Sequence, residues 1–197
     1  MHRCRWVTED RLYIDYHDNE WGKPVFSDQK LFEMLLLEGA QAGLSWITVL
    51  KKRSAYREAF DQFQPETIAR YSEEKVNQLM GNRGIIRNER KIRSAIQNAK
   101  AFLKIQEQFG SFSNYIWNFV DGQPIINEWR SFEQIPTETP LSRKISKELK
   151  SRGFSFVGPT IIYAYMQAVG IVNDHETTCF CHPLNGTENG WEPSIIR

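Results

Sequence analysis

Four residues of metal-binding type lie near the two ends of the chain. Cys4 and His17 are at one end, and His175 and Cys179 are at the other. Zinc prefers thiolate and imidazole ligands, and two of each suit a tetrahedral site with no position left for a catalytic water. A zinc ion held by these residues would therefore be structural, and it would tie the two ends of the chain together.

The spacing of these residues does not decide the matter. His175 and Cys179 are four residues apart, which puts both side chains on one face if the segment is helical. The two pairs are far apart in sequence, so scattered core or surface residues explain the pattern equally well. Cys181 and His182 lie close enough to replace one ligand. The odd total of three cysteines favours metal ligands or free thiols over disulfide bonds.

Aromatic side chains crowd the N-terminal part of the chain, where Glu38 is the carboxylate of interest. Aromatic residues commonly lie in the core, and at least half of these fit that role. A base extruded from DNA, however, must be stacked between aromatic faces and recognised along its polar edge. Glu38 can accept hydrogen bonds from such a base, and a buried glutamate is costly unless it is used or paired. The aromatic residues are Trp6, Tyr13, Tyr16, Trp21 and Trp46.

The segment RGFSFVG, residues 152–158, separates two expected helices and predicts a helix-hairpin-helix. Its glycines permit a phosphate to approach the backbone N–H groups, and the start of the next helix adds a favourable dipole. An ordinary connection between helices explains two glycines equally well. The preceding run RKISKELKSR contains five basic residues and one acid, which favours DNA binding. The candidate DNA contacts here are Lys150, Arg152, Gly153, Gly158 and Thr160.

A second basic stretch, NRGIIRNERKIRSAIQNAKAFLK over residues 82–104, contains a single acid, Glu89. Such a run is usually the solvated face of a helix, and a phosphate contact is the alternative. We assign it no function from the sequence.

The elements that position these residues are predicted to be helical. Most segments between glycine, proline and serine follow the helical period, and strand alternation is scarce. Ser27 is the candidate N-cap of a helix, and Gly39 and Gly43 predict a break or a close backbone approach that places Glu38 at a helix end. Further helices are expected through Val49 and Leu50 and over 54–63, 65–71, 72–80, 88–109, 112–120, 141–151 and 159–169, with an irregular connection over 121–140.

The composition suits a folded helical domain. At 197 residues, with 41% apolar and 13% aromatic content, residues 1–183 can form one domain or two closely packed lobes. Residues 184–197 are expected to be a tail without an assigned role. The net charge of +1 neither implies nor excludes a nucleic-acid partner. The chain begins MHRCRW and contains no apolar run of membrane-spanning length, so we expect a cytoplasmic protein without membrane association.

Six segments occur together in a specific order: CRW, LYIDYHDNEWG, LFEMLLLEGAQAGLSWITVLKKR, GIIRNERKI, RGFSFVGPT and VNDHETTC. Each is weak alone, but in this combination the chain resembles the 3-methyladenine-DNA glycosylase I family from about Met1 to about Pro183. The resemblance implies an all-α helix-hairpin-helix glycosylase fold. It also implies one structural zinc ion on Cys4, His17, His175 and Cys179.

The resemblance further implies where the substrate lies. It places a base pocket around Glu38, with Tyr13, Tyr16, Trp21 and Trp46 as neighbours and Trp6 close by. The turn QAGL, which contains Gln41, Gly43 and Leu44, resembles the wedge that the family inserts into the duplex at the lesion. Leu44 would fill the space left by the flipped nucleotide.

The implied activity is hydrolysis of the N-glycosidic bond of 3-methyladenine in alkylated double-stranded DNA, which leaves an abasic site and a free base. The wider superfamily usually places a catalytic aspartate after the hairpin. Here the nearest candidate is Asp174, at a shorter spacing and beside a metal-ligand candidate, and we expect it not to act. 3-Methyladenine is cationic and a good leaving group, so binding and electrostatic stabilisation suffice. Glu38 would select the base and stabilise developing positive charge or orient water.

No lysine follows the hairpin in GPTIIYAYMQAVGIVNDH, so no Schiff-base nucleophile and no lyase activity are expected. The family resemblance suggests a monomer. Two other functions fit parts of the pattern. One is a non-catalytic DNA-binding module, and the other is a helical zinc protein that acts on a small-molecule purine. The sequence leaves open the range of damaged bases and whether Glu38 acts chemically or only in recognition.

Overall fold

The computed structural model describes residues 2–185, and almost all of the regular structure in this range is helical. The two strands found there, β1 (Ile125–Ile126) and β2 (Val172–Asn173), pair in parallel, with Ile125 opposite Val172. None of the described helices has the length and apolar character needed to cross a membrane. The α-helices are α1 (Arg11–Asn19), α2 (Asp28–Gln41), α3 (Trp46–Leu50), α4 (Arg53–Ala59), α5 (Pro65–Ile68), α6 (Glu73–Gly81), α7 (Glu89–Phe109), α8 (Phe112–Trp117), α9 (Pro140–Ser151) and α10 (Pro159–Ala168).

Helix α2 lies in the core, where it packs against α3, α7, α8 and α10. The Ser27 hydroxyl caps its start by accepting a hydrogen bond from the backbone N–H of Lys30. The two glycines behave as expected, each in its own way. A Cβ on Gly39 would lie 3.3 Å from Cβ of Phe156, so the absence of a side chain at Gly39 permits Phe156 to approach the helix closely. Gly43, at φ +80°, lies beyond the end of α2 and turns the chain there. Glu38 therefore lies in the last turn of α2.

Helices α9 and α10 and the connection between them agree with the predicted pair of helices. Thr139 and Ser142 form a reciprocal capping box at the start of α9. Gly153, at φ +92°, begins the connection, and the apolar side chains of Phe154 and Val157 are buried beneath it. The two helices pack against each other, and α10 also packs against α2.

The elements of the structure differ from those predicted at several places, and the helix expected over 65–71 ends at Ile68. The helix expected over 54–63 ends at Ala59, because Asp61–Phe63 form a 3₁₀ turn with positive φ that buries the Phe63 ring. Helix α1 was not predicted. The connection over 121–140 is not entirely irregular, since it contains β1 and a 3₁₀ turn, Phe132–Gln134. Most of the predicted tail, residues 186–197, lies outside the described residues.

Candidate active site and metal centre

A cavity of about 260 Å³ opens between α1, α2, α3 and α10. All five aromatic residues singled out in the sequence line it together with Glu38, so the structure brings this predicted set into one place. Its lining residues are Trp6, Tyr13, Tyr16, Trp21, Glu38, Gln41, Trp46, Phe132, Ile135, Ala164 and Gln167.

Helical spacing explains how single elements supply several walls of the cavity. Tyr13 and Tyr16 are three residues apart on α1, so their side chains share one face of that helix. Glu38 and Gln41 have the same spacing at the end of α2, and Trp46 is the first residue of α3. The turn between α2 and α3 thus lies beside the cavity.

The aromatic rings that line the cavity pack against one another with large angles between their planes. The ring of Trp6 packs edge-on against Tyr13 and Trp21, with centroid distances of 5.4 and 5.1 Å. The Tyr16 ring lies 5.4 Å from Trp46, and the Tyr13 hydroxyl accepts a hydrogen bond from the backbone N–H of Ile47. Packing of this kind fixes the orientations of the rings.

Glu38 is the acidic group of the cavity, and only 3% of its surface is exposed. Within residues 2–185 its carboxyl group has no hydrogen-bond partner. Burial raises the pKa of Glu38 to about 8, so the free protein holds the carboxyl mostly protonated at neutral pH. Burial and the nearby Glu38 also raise the pKa of Tyr16. An unpaired buried carboxyl beside flat apolar rings suits a planar ligand with a polar or cationic edge.

The four predicted metal ligands also meet, in a buried group next to Trp21, whose ring centre lies 4.7 Å from that of His175. Their ligand atoms all lie within 4.8 Å of one another. Cys4 Sγ is 3.4 Å from Nδ1 of His175, and Cys179 Sγ is 3.4 Å from Nε2 of His17. Hydrogen bonds with the Cys181 and Cys4 thiols, and then with the two imidazoles, lower the pKa of the Cys179 thiol. This group can hold a metal ion.

The outer partners of the two imidazoles agree with a metal site. Nδ1 of His17 donates to Asp18 at 2.7 Å, and Nε2 of His175 donates to the carbonyl of Trp21 at 3.0 Å. Each ring therefore turns its other nitrogen toward the cysteines in a form that can bind a metal. The donor set of two thiols and two imidazoles fits zinc.

The alternative ligands lie outside this group of four. Cys181 Sγ is 4.0 Å from Nδ1 of His17, the ring nitrogen already bonded to Asp18. His182 uses both ring nitrogens, one on the carbonyl of Asn127 and one on the N–H of Leu184. The segment that carries His175 and Cys179 forms turns and not the helix that their spacing suggested.

Comparison with known proteins decides the family of the chain. The methyladenine glycosylase family matches residues 6–182. The chain belongs to this family. The DNA-3-methyladenine glycosylase 1 of Escherichia coli (strain K12) is 52% identical over 94% of this chain and 99% of its own length. The resemblance seen in the sequence is thereby confirmed, and the chain is a hydrolytic glycosylase.

Solved structures of the family share the fold. A crystal structure of 3-methyladenine DNA glycosylase I is 57% identical, covers 92% of this chain and 100% of that one, and superposes with a TM-score of 0.90. A Staphylococcus aureus 3-methyladenine DNA glycosylase I, described in a study of 3-methyladenine recognition, is 36% identical with a TM-score of 0.90, covering 93% and 97% of the two chains. The mostly helical fold expected from the sequence is confirmed.

Sequence reasoning missed four residues that line the cavity of this glycosylase. Phe132 and Ile135 come from the connection between α8 and α9, and Ala164 and Gln167 come from α10. The spacing of Ala164 and Gln167 was a usable signal, because residues three apart on a helix share a face. The sequence around Phe132 contains no comparable signal, because only tertiary contacts bring this 3₁₀ turn to the cavity.

Asp174 lies beside a ligand of the metal group but not on the cavity lining. It is fully buried, and its two oxygens accept four hydrogen bonds. The donors are the side chains of Asn127, Trp129, Tyr163 and Gln167, at 2.6 to 2.8 Å. In this glycosylase the carboxylate is therefore surrounded by protein donors.

The two predicted DNA-contacting elements of the glycosylase present their residues differently. In the QAGL turn, Leu44 is 41% exposed, and its N–H donates to the carbonyl of Gln41 at 2.7 Å. At the hairpin, Lys150, Gly153 and Thr160 are exposed and Gly158 is partly exposed. The guanidinium of Arg152 lies 5.0 and 4.9 Å from the ring centres of Phe109 and Tyr115. Arg152 is thus partly engaged with the protein itself.

Proposed function

We propose that this glycosylase hydrolyses the N-glycosidic bond of 3-methyladenine in alkylated double-stranded DNA, leaving a free base and an abasic site. The observation that carries the proposal is the buried, unpaired carboxyl of Glu38 in a cavity walled by aromatic rings. The S. aureus relative is described as recognising 3-methyladenine, and its similarity to this chain supports the same substrate here.

The shape of the cavity supports base flipping. Glu38 is 3% exposed and lies among side chains from α1, α2, α3 and α10, so a base within a stacked duplex cannot reach it. The damaged nucleotide must rotate out of the stack, and a flipped base is then held between flat side chains. Leu44, exposed on the turn that follows α2, would occupy the gap left in the duplex.

The chemistry requires little from the protein beyond binding and electrostatics. The bond between C1′ of the sugar and the base breaks, and the base leaves with the bonding electrons, which neutralise its positive charge. A water oxygen bonds to C1′ and releases a proton to solvent. When the cationic base enters, its charge favours the ionised form of Glu38, so the carboxyl gives up its proton and pairs with the base. An uncharged base gains no such pairing, which gives selectivity against undamaged bases.

The remaining parts of the proposal concern the DNA contacts, the structural metal, the oligomeric state and the location of the protein. The α9–α10 pair would act as a helix-hairpin-helix of the glycosylase superfamily, and zinc on Cys4, His17, His175 and Cys179 would be structural, joining the two ends of a single domain over 1–183. We assign DNA contacts to Gln41, Gly43, Leu44, Lys150, Arg152, Gly153, Gly158 and Thr160. We further propose a cytoplasmic monomer without membrane association.

The proposed enzyme is monofunctional. The segment from Gly158 to His175 contains no lysine, so it supplies no amine for a Schiff base with the sugar. Borohydride treatment during turnover should therefore trap no covalent adduct between protein and DNA.

The first test is release of free bases from methylated duplex DNA. We expect release of 3-methyladenine without release of 7-methylguanine, and a large loss of release in Glu38→Gln. Glu107→Gln, an exposed glutamate on α7, is the matched control and should match the native rate. The ratio kcat/KM of the native enzyme, which reports the free protein, should rise with pH up to about 8, because free Glu38 must ionise to pair with the base, and this rise should vanish in Glu38→Gln. Unchanged release by Glu38→Gln would contradict the proposal.

A further inference from the structure

Lys91, in the basic stretch that the sequence left unassigned, points at backbone carbonyls and not at a carboxylate. Its Nζ donates hydrogen bonds of 2.8 Å to the carbonyl of Ala40 and 2.7 Å to that of Ala42. Within residues 2–185 it forms no ion pair. Lys91 lies in the first turn of α7, so a residue of one helix is bonded to the end of another.

The two carbonyls that Lys91 binds flank the end of α2. The last carbonyls of a helix lack partners within the helix, and a cation there also interacts favourably with the helix dipole. Ala40 is inside α2, whereas Ala42 is beyond its end, with a non-helical ψ of 116°. One ammonium group thus fixes both the last turn of the helix and the direction in which the chain leaves it. Gly43 and Leu44 follow immediately.

The same helix also holds the hairpin. Asn98 is seven residues after Lys91, about two helical turns, so both project from the same face of α7. The Asn98 amide donates to the carbonyl of Ser155 at 3.0 Å and accepts from the N–H of Ser155 at 2.8 Å. One continuous helix of 21 residues therefore bonds to the turn that carries Leu44 and to the hairpin.

We propose that Lys91 is a positioning residue that holds the Gln41–Leu44 turn in register with the hairpin, so that Leu44 enters the duplex where the base leaves it. This inference rests on the proposed wedge function of that turn. Two of the three donors of the ammonium group are committed to the carbonyls of Ala40 and Ala42. Lys91 therefore acts through the backbone of the turn and not as a phosphate contact.

The role predicts a loss that depends on the substrate. Lys91→Met keeps most of the aliphatic stem but removes both hydrogen bonds, so the turn loses its fixed position. A misplacement of a positioned group by about 1 Å can cost about a hundredfold in rate, and we expect roughly a tenfold to hundredfold slower excision from duplex DNA. Excision from single-stranded DNA should change little, because no partner strand leaves a gap to fill. Binding of free 3-methyladenine, measured by tryptophan fluorescence, should be unchanged.

The test compares single-turnover excision of 3-methyladenine from duplex and single-stranded DNA by the full-length protein. Lys91→Arg keeps a cationic donor and should recover most of the duplex rate. Lys100→Met removes one exposed charge from the same helix and should affect both substrates weakly and alike. If Lys91→Met does not fold, Lys91→Gln, which keeps a shorter donor, provides the same comparison.

Leu44→Ala separates failure of this inference from failure of the wedge. If Leu44→Ala and Lys91→Met both slow duplex excision selectively, the inference holds. If only Leu44→Ala does so, the wedge stands and the role of Lys91 is overturned. If neither does, the wedge function fails, and the role of Lys91 fails with it. Equal losses in Lys91→Met and Lys100→Met on both substrates would show a general effect of charge and would also overturn the inference.

Discussion

The side-chain amide of Gln167 donates a 2.7 Å hydrogen bond to Asp174, which links a wall of the cavity around Glu38 to a fully buried carboxylate. An ionised carboxylate can accept hydrogen bonds but cannot donate them. The amide nitrogen of Gln167 must therefore face Asp174, and the amide oxygen must face away from it. Asn127 and Trp129 donate to the other oxygen of Asp174, so the same carboxylate ties the connection before α9 to α10. This arrangement indicates a structural role for Asp174.

Asp174→Asn should therefore destabilise the fold without removing a chemical step. The amide cannot accept all four hydrogen bonds, and the unpaired buried donors should cost about 2–4 kcal/mol in the free energy of unfolding. Well below the unfolding temperature, the single-turnover rate should stay within about tenfold of the native rate. Urea unfolding and excision kinetics measure the two quantities, with the exposed Asp121→Asn as a control. A thousandfold slower reaction at native stability would make Asp174 a catalytic residue.

The composition of the cavity was only partly predictable from the sequence. The five aromatic residues and Glu38 were found because their types suit a flipped base and their segments resemble a family. Phe132 was missed because its position depends on the connection being held by the pairing of β1 with β2 and by the bond from Trp129 to Asp174. These contacts join residues more than 40 positions apart in the sequence, and no local sequence pattern predicts them.

The buried carboxyl of Glu38 should make stability depend on pH in a characteristic direction. Its pKa is about 8 in the folded protein and near the ordinary 4.5 in the unfolded chain. Between these values the folded state keeps a proton that the unfolded state has released, so stability falls as pH rises through this window and levels off above about 8. At about 1.4 kcal/mol for each tenfold change in proton affinity, the loss is on the order of 5 kcal/mol.

Glu38→Gln isolates this contribution, because the amide does not titrate. The variant should gain stability relative to the native protein as pH rises from 5 to about 8, and the difference should then stay constant. Urea unfolding of both proteins at a series of pH values measures the difference, and other titrating groups cancel in the comparison. A difference that is independent of pH would show that Glu38 is ionised in the folded protein.

The hydrogen bond from His17 to Asp18 should strengthen metal binding. The carboxylate holds Nδ1 of the ring, so that Nε2 faces Cys179. Asp18→Asn should weaken the binding of zinc about 10-fold to 100-fold, the usual effect of removing such an outer partner. Competition with a chelator measures the affinity, and Asp15→Asn, an exposed aspartate on the same helix, is the control. Equal affinities in the two variants would argue against a zinc ion on His17.

The metal group shows how residues that meet in the fold can be picked out with an incorrect local structure. His175 and Cys179 were paired on the assumption of a helix, but they approach each other through turns in which the N–H of Cys179 donates to the carbonyl of Glu176. Spacing alone could not exclude Cys181 and His182. In the structure His182 is bonded to Asn127, whereas Cys181 lies nearest Nδ1 of His17, the nitrogen that is bonded to Asp18.

The two basic side chains beside the hairpin should differ in what they contribute. Lys150 is exposed, and in the part of the chain that the structure describes its ammonium group has no hydrogen-bond or ion-pair partner. Arg152 packs over Phe109 and Tyr115 and donates to Gln108 at 2.8 Å. Lys150 is therefore free to meet a phosphate, whereas Arg152 also supports the local packing.

Lys150→Gln should weaken duplex binding and lower the slope of log affinity against log salt concentration by about one, because one fewer counterion is released. Its free energy of unfolding should not change. Arg152→Gln should lower that free energy by about 1–2 kcal/mol, since it removes a cation packed on two rings together with its aliphatic stem. Salt titrations of DNA binding and urea unfolding of both variants distinguish these effects. An unchanged salt slope in Lys150→Gln would remove this lysine from the DNA surface, and would direct attention to the backbone N–H groups of the hairpin.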